Sequence, residues 1–181
     1  MRRTQMTTFS IERLDAHQVT AELPGLVVLL QDSVNGGSSV GYLPPLSDED
    51  ATHYWQSIIG EVQAQARILW VARQADLLVG TVQLHLESRP NGRHRAEVQK
   101  LLVHTQARRQ GVGQALMAAL EAAARAVGRS LLVLDTRQGD ASELLYAKIG
   151  YLKAGTIPGY ACSANGALDA CMFYYHWLES L

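Results

Sequence analysis

Residues 98–113 read VQKLLVHTQARRQGVG and form the most informative segment of the chain. The apolar content of Ala96 to His104 is typical of a strand, whereas apolar residues recur every three or four positions from about Gly111 to Val127, which predicts a helix. Gly128 is expected to end that helix. A basic, glycine-bearing loop therefore joins a strand to the first turn of a long helix.

This junction has the chemistry of a pyrophosphate-binding site. Gly111 and Gly113 let the backbone approach an anion closely, and the first helical N–H groups, which lack intrahelical partners, point toward it. Arg108 and Arg109 add charge-assisted donors. No Gly-Lys-Ser/Thr of a Walker loop follows, and the GxGxxG spacing of dinucleotide-binding proteins is missing. Nucleotide hydrolysis and hydride transfer are therefore disfavoured.

The rest of the chain alternates between strand-like and helix-like segments. Hydrophobic patterning predicts helices at residues 18–34, 47–65, 111–127 and 142–149, with Pro24 bending or delaying the first and Ser47 capping the second. A Gly- and Pro-containing loop covers residues 35–45. Strands are expected at residues 9–14, 68–72, 77–86, 96–104, 131–135, 151–157 and 171–177. No repeat or linker interrupts the pattern, so residues 1–181 are expected to form one domain.

Composition narrows the class of protein. The chain is 48% hydrophobic and 18% charged, which is typical of a globular domain with a packed core. A formal net charge of -1 gives no reason to expect a nucleic-acid partner, because such partners require concentrated basic surface. No apolar run has the length of a signal peptide core or a membrane span, which favours a cytoplasmic protein without a membrane partner.

Cys162 and Cys171 are the two cysteines of the chain. Without a CxxC pair or a matched histidine spacing, they indicate neither a disulfide framework nor a metal site. Both are interpreted as reduced thiols, although a hairpin across Gly166 would bring them together. Neither has an obvious histidine partner in the sequence, which disfavours an acyl-cysteine mechanism.

Two sequence blocks resemble the GNAT superfamily of acetyltransferases. Arg108-x-x-Gly111-x-Gly113 matches the family signature (Arg/Gln)-x-x-Gly-x-(Gly/Ala), which binds the pyrophosphate of coenzyme A. Residues 141–151, ASELLYAKIGY, resemble the second family block, in which a helix bearing a tyrosine leads through Gly-(Phe/Tyr) into a strand. The blocks occur in the family's order, and the resemblance covers most of the chain.

The resemblance implies an α/β fold with a mixed, mostly antiparallel seven-stranded sheet, splayed between the fourth and fifth strands, and helices on both faces. It also implies acetyl-CoA as the cosubstrate, with no metal. The pantetheine arm would pair with the backbone of the fourth strand inside the splay. The residues expected to bind the coenzyme are Leu102, Val103, Arg108, Arg109, Gln110, Gly111, Val112, Gly113, Ser142 and Tyr146.

Direct acetyl transfer to an amine requires a proton acceptor and a proton donor. An ammonium has no lone pair, so a carboxylate acting directly or through water would help, and Glu97 and Asp135 are the candidates. Each is equally compatible with a surface-facing carboxylate. By resemblance, Tyr146 would protonate the departing thiolate, which a neutral phenol can do.

Other polar residues rank lower. His85, His94 and His104 lie near the predicted strand ends, where solvated or structural histidines are common. Lys100 is expected to extend its amine to solvent along a buried stem.

The acceptor is the least determined part of the prediction. Similarity to toxin-resistance members of the superfamily points to a primary amine of a small molecule, such as an amino-acid-like toxin or antibiotic. Tyr42 and Tyr160, with Glu97 and Asp135, are the candidate substrate-binding residues, while Trp55 is interpreted as core. Two alternatives are acetylation of a protein or peptide and a non-catalytic acyl-CoA-binding domain. A second copy of the chain, forming a homodimer, is a candidate partner.

Overall fold

The computed structural model describes residues 8–178, which form a seven-stranded sheet and five α-helices. The strands are β1 (Ser10–Leu14), β2 (Arg67–Gln74), β3 (Leu77–Leu86), β4 (Arg95–Val103), β5 (Leu131–Arg137), β6 (Leu152–Cys162) and β7 (Leu168–Trp177). The helices are α1 (Ala16–Ala21), α2 (Leu23–Asn35), α3 (Asp48–Gln63), α4 (Val112–Ala126) and α5 (Ser142–Lys148). Single 3-10 turns precede β4 and α4.

The sheet has the order β1-β2-β3-β4-β5-β7-β6. Every neighbouring pair is antiparallel except β4 and β5, which run parallel. That parallel pairing covers only Arg95–Glu97 against Leu131–Val133, after which the two strands separate. The predicted mixed sheet with a splay between the fourth and fifth strands is therefore confirmed.

Helices cover both faces of the sheet, as predicted. Alternate residues of β2 enter opposite cores: Ile68, Trp70 and Ala72 pack beneath α4 and α5, whereas Leu69 and Val71 pack beneath α1, α2 and α3. This alternation is the two-residue period of a strand that is buried on both sides. The core assignment of Trp55 is confirmed, because its side chain is fully buried in the second of these cores.

Two predicted boundaries are wrong for identifiable reasons. Residues 18–34 are not one helix, because α1 ends at Ala21 and Pro24 lies in the first turn of α2, where its missing N–H costs nothing. Strand β6 runs past Ile157 to Cys162, and the register shift between Ile157 and Ala161 accommodates Pro158, Gly159 and Tyr160. Pro158 is tolerated within β6 because β6 is an edge strand of the sheet.

The hairpin of β6 and β7 does not bring the two cysteines together. Cys162 lies opposite Leu168, whereas Cys171 lies opposite Ile157. Both are free thiols, Cys162 exposed and Cys171 buried. Among residues 8–178, no cluster of three or more His, Cys, Asp or Glu side chains could hold a metal ion. None of the helices described is both long and apolar enough to cross a membrane.

Candidate active site

A cleft of about 380 Å³ opens where β4 and β5 separate. One wall is β4 from Glu97 to Leu101, and the opposite wall is β5 from Asp135 to Arg137. The loop at residues 38–41 closes one side, and parts of β6, β7 and α5 close the other. The polar and aromatic side chains of this cleft include Tyr54, Glu97, Lys100, Asp135, Ser142, Tyr146 and Tyr160.

The start of α4 has the features of an anion-binding site. Gly111 occupies the N-cap position with φ 86°, and no side chain caps the helix. Ala115 is the first residue of the helix whose amide donates to a backbone carbonyl, that of Gly111. The amides of Val112, Gly113 and Gln114, which precede Ala115 in the first turn, have no intrahelical acceptor. These free N–H groups and the helix dipole fit a pyrophosphate.

Several predicted coenzyme-binding residues lie on the segment that leads into this helix start. Arg109 adopts a left-handed φ of 61°, and Arg108 donates through Nε to the carbonyl oxygen of Val103 at 3.2 Å. Both arginines are exposed. Leu102 and Val103 pair with β3 on one side, but beyond Glu97 β4 has no strand partner on the other. The freed edge of β4 can therefore pair with an extended ligand.

The loop between β4 and α4 is anchored to α2 through Asp32. Its Oδ2 accepts from the backbone N–H of Thr105 and its Oδ1 from the Thr105 hydroxyl, both at 2.8 Å. His104, which caps the 3-10 turn at Thr105–Ala107, lies with Nε2 3.6 Å from Oδ1 of Asp32. No local pattern predicts this contact, because the partners are 73 positions apart.

Both predicted carboxylates, Glu97 and Asp135, line the cleft. The thiol of Cys171 also lines it and donates to Oδ2 of Asp135 at 3.2 Å and to the carbonyl of Thr136 at 3.1 Å. Burial, followed by the hydrogen bond and negative charge of Asp135, raises the pKa of the Cys171 thiol to about 12. Because the thiolate is the nucleophilic form, this environment disfavours an acyl-cysteine route.

Tyr146 lies on α5 with its ring packed between Tyr151 and Tyr174, at centroid distances of 5.8 and 5.7 Å. The side chain is buried but lines the cleft. Burial first, and then the nearby Asp140 and Asp135, raise the pKa of the Tyr146 phenol well above its ordinary value. The phenol therefore stays a neutral proton donor throughout the neutral pH range.

Ser142 opens α5 and also lines the cleft, and its role at the coenzyme site stays a prediction. Its hydroxyl oxygen lies 2.8 Å from that of Thr136, and its N–H donates to Oδ1 of Asp140. These contacts fix the start of α5 against the end of β5.

The two predicted pocket tyrosines are placed differently. Tyr160 lines the cleft from β6 and packs edge-on against Phe173, with ring centroids 5.4 Å apart. Tyr42 instead lines an adjoining cavity of about 320 Å³ between the loop at residues 37–44 and the hairpin of β6 and β7. It packs edge-on against Tyr54, which itself faces the cleft.

The expectation that Lys100 extends to solvent is wrong. Lys100 lines the cleft, and its Nζ donates to the carbonyl oxygen of Val40 at 2.8 Å and lies 5.0 Å from the centre of the Tyr54 ring. The cause is a β-bulge: Thr81 faces Leu102 while Gln83 faces Gln99, so one extra residue of β4 must be accommodated. Lys100 absorbs it with a φ of 49°.

A buried polar network beneath the cleft was not predicted. Arg67 donates to the side-chain oxygens of Gln83 and Gln99, each at 2.6 Å, and to Glu61 at 2.7 Å. The Tyr54 hydroxyl donates to the same oxygen of Gln83 at 3.0 Å. Burial is the main reason that the pKa of Tyr54 rises to about 12. The network fixes the aromatic floor below Lys100.

The predicted histidines lie outside the cleft. His85 faces Glu97 across the sheet register, and His94 stacks on Trp177 with centroids 6.3 Å apart. A larger groove of about 790 Å³ runs along β1, α1 and the end of α3, but it shares no residue with the cleft. The groove lacks the paired carboxylates and the adjoining free helix start, so the cleft is the candidate active site.

Known proteins share both the sequence pattern and the fold. Residues 65–153 match the acetyltransferase (GNAT) domain family. An uncharacterized N-acetyltransferase of the hisH-hisA intergenic region of Azospirillum brasilense is 32% identical over 135 residues, which span 74% of this chain and 78% of that protein.

Solved structures of acetyltransferases share the architecture. The ribosomal-protein-alanine N-acetyltransferase of Brucella melitensis has a TM-score of 0.76 and 20% identity, over 93% of this chain and 99% of its own. A Salmonella typhimurium structure that contains acetyl-CoA as its cofactor has a TM-score of 0.76 and 16% identity, over 96% and 95%. The chain belongs to the GNAT superfamily of N-acetyltransferases, whose fold uses acetyl-CoA as the acetyl donor.

Proposed function

We propose that this protein transfers an acetyl group from acetyl-CoA directly to a primary amine of a small molecule. The observation behind the proposal is that Glu97, Asp135 and Tyr146 line one cleft, beside an anion-binding helix start. The cleft has room for a proton acceptor, a proton donor and the two reacting groups.

The coenzyme would be held by the start of α4, by the arginines before it and by the free edge of β4. The amides of residues 110–113 and the side chains of Arg108 and Arg109 bind the pyrophosphate, and the free edge of β4 at Leu102 and Val103 pairs with pantetheine. Acetyl-CoA supplies the thioester carbonyl that the amine attacks. Ser142 and Tyr146 face the same space from α5.

The proton transfers are assigned to side chains that face the cleft. Glu97 or Asp135 receives the proton of the attacking amine, directly or through water. Tyr146 holds its phenolic proton for the departing sulfur, and its raised pKa keeps that proton in place. No enzyme-bound acetyl group is needed, in agreement with the inert environment of Cys171.

A small acceptor is favoured by the loop at residues 38–41. Lys100 ties this loop to β4 through Val40, so the loop forms one wall of the cleft, which supports a small acceptor over a polypeptide. Residues 36–41, 90–92, 95–101, 134–136 and 158–160 resemble the tabtoxin resistance acetyltransferase. An amino-acid-like toxin or antibiotic is therefore the proposed acceptor class, with Tyr160 and Tyr42 on its outer side.

A screen of acetyl-CoA-dependent thiol release over three acceptor groups tests the proposal. The groups are small amines that include amino acids and aminoglycosides, peptides with a free N-terminal alanine, and N-terminally blocked peptides that contain lysine. We expect release with small amines, and a mass increase of one acetyl group on the product. Release with a peptide group alone would contradict the small-molecule assignment. Acetyl-CoA binding without release would instead indicate a non-catalytic domain.

A further inference from the structure

Lys100 presents an ammonium group in the acceptor cleft without a countercharge in contact. Within residues 8–178, the carbonyl of Val40 is its one hydrogen-bond partner, and no carboxylate lies within salt-bridge distance. An ammonium has three N–H donors, so two remain available. Charged groups removed from water are ordinarily paired, and here the pairing is incomplete.

The backbone holds Lys100 in this position at a cost. The φ of 49° is in the left-handed region, which a non-glycine residue adopts when the surroundings impose it. The bulge turns the side chain toward the cleft, and the Tyr54 ring supports the ammonium from below. Tyr54 is fixed in turn by Gln83.

The other cation of the cleft differs from Lys100. Arg137 has two carboxylate neighbours, with N–O distances of 3.8 Å to Asp140 and 3.7 Å to Asp169. Lys100 is thus the cation of the cleft that lacks a carboxylate at contact distance.

The charges in the cleft match a zwitterion. Burial is the main cause that lowers the pKa of Lys100, and the positive charge of Arg67 lowers it further. The negative charges of Asp135 and Glu97 oppose this shift. A cation and two carboxylates therefore share one small cleft without neutralising each other by contact. An acceptor that carries both an amine and a carboxylate would give each of them a partner.

We propose that Lys100 determines acceptor specificity by binding a carboxylate of the acceptor, so that the acceptor is an amine of the amino-acid class. The acceptor amine then lies at Glu97 and Asp135 and its carboxylate at Nζ of Lys100. This inference rests on the proposed small-molecule acetyltransferase activity and assigns a residue to acceptor recognition.

The test compares amino acids with their carboxamides, which keep the amine but lose the negative charge. The ratio of kcat/KM values within each pair is measured for the wild type, Lys100→Met, Lys100→Gln and the exposed control Lys153→Met. Lys100→Gln retains a donor for the Val40 carbonyl, so it separates loss of charge from loss of the loop contact. Acetyl-CoA affinity and thermal unfolding verify that each variant is folded.

We expect the wild type and Lys153→Met to prefer the carboxylate member by about 10- to 100-fold, the range of a charge-assisted hydrogen bond. Both Lys100 variants should bring the ratio near one while binding acetyl-CoA as tightly as the wild type. Equal use of both members by the wild type, or a ratio unchanged in the Lys100 variants, overturns the inference but leaves the proposed function intact. Acetyl-CoA binding without turnover of any amine overturns both.

Discussion

Glu97 lies opposite Val133 in the last residue pair that joins β4 to β5. One position further along, the strands have separated, and the cleft begins. Asp135, two residues after Val133, lines the facing wall. The separation of β4 and β5 therefore places one carboxylate on each strand, next to the space where an acetyl group and an amine can meet.

The first prediction concerns these carboxylates. The Glu97→Gln and Asp135→Asn variants remove the two candidate proton acceptors while preserving side-chain shape. Substitution of the residue that acts as the base should lower kcat by about 100-fold or more, because that is the usual contribution of a positioned base. The change in kcat is measured from the rate of thiol release from acetyl-CoA. The matched control is Glu49→Gln on the exposed side of α3, and full turnover in both cleft variants would remove the carboxylates from the mechanism.

The second prediction concerns Tyr146. Tyr146→Phe should lower kcat by about 100-fold while leaving the Kd for acetyl-CoA within about twofold. Tyr175→Phe on β7, whose side chain does not line the cleft, serves as the control. Wild-type turnover in Tyr146→Phe would exclude Tyr146 as the proton donor.

Tyr146 also predicts a feature of the pH profile. A raised pKa means that the phenol keeps its proton above pH 10, where a free tyrosine has lost about half of its protons. Loss of this proton should therefore not lower kcat between about pH 8 and 10. A fall in wild-type kcat over that range that disappears in Tyr146→Phe would contradict the assignment.

The third prediction separates anion binding from helix stability. Gly111 and Gly128 lie at opposite ends of α4, have φ of 86° and 73°, and have open space where a Cβ atom would stand. Alanine at either position should cost about 1–2 kcal/mol of unfolding free energy, the usual penalty for the left-handed region. We expect only Gly111→Ala to weaken acetyl-CoA binding, by about tenfold, because it disturbs the free amides. Calorimetric titration of both variants with acetyl-CoA measures the two affinities. An equal loss of affinity in both variants would refute the pyrophosphate assignment.

The fourth prediction concerns the network under the cleft. Arg67→Met removes the guanidinium that donates to the fully buried Gln83 and to Gln99, so the free energy of unfolding in urea should fall by about 2–4 kcal/mol. Arg73→Met, on the same strand, removes a more exposed pair with Glu22 and should cost about 1 kcal/mol or less. Equal losses would show that the buried network contributes nothing beyond a surface ion pair.

Local patterns sufficed for much of the fold. The change from a strand pattern to a 3.6-residue period at Gly111 located the junction of β4 and α4. The glycines and arginines there predict an anion-binding site. The splay and the places of Glu97, Asp135 and Tyr146 came from family resemblance, because residue periodicity does not specify which strands pair.

The rest depended on features that a local pattern does not encode. Val98 and Leu102, four residues apart, would share a face in a regular strand, yet they enter opposite cores because the bulge lies between them. The same bulge turned Lys100 into the cleft. The contact between Cys171 and Asp135 joins residues 36 positions apart and required the pairing of β5 with β7.

A crystal structure with acetyl-CoA tests the central claim most directly, because it locates the thioester relative to the cleft between β4 and β5. We predict pyrophosphate oxygens within hydrogen-bond distance of the amides of residues 110–113, and the thioester carbonyl in the cleft beside Glu97, Asp135 and Tyr146. Acetyl-CoA bound instead in the groove along α1 and α3, or with its thioester outside the fork of β4 and β5, would contradict the account.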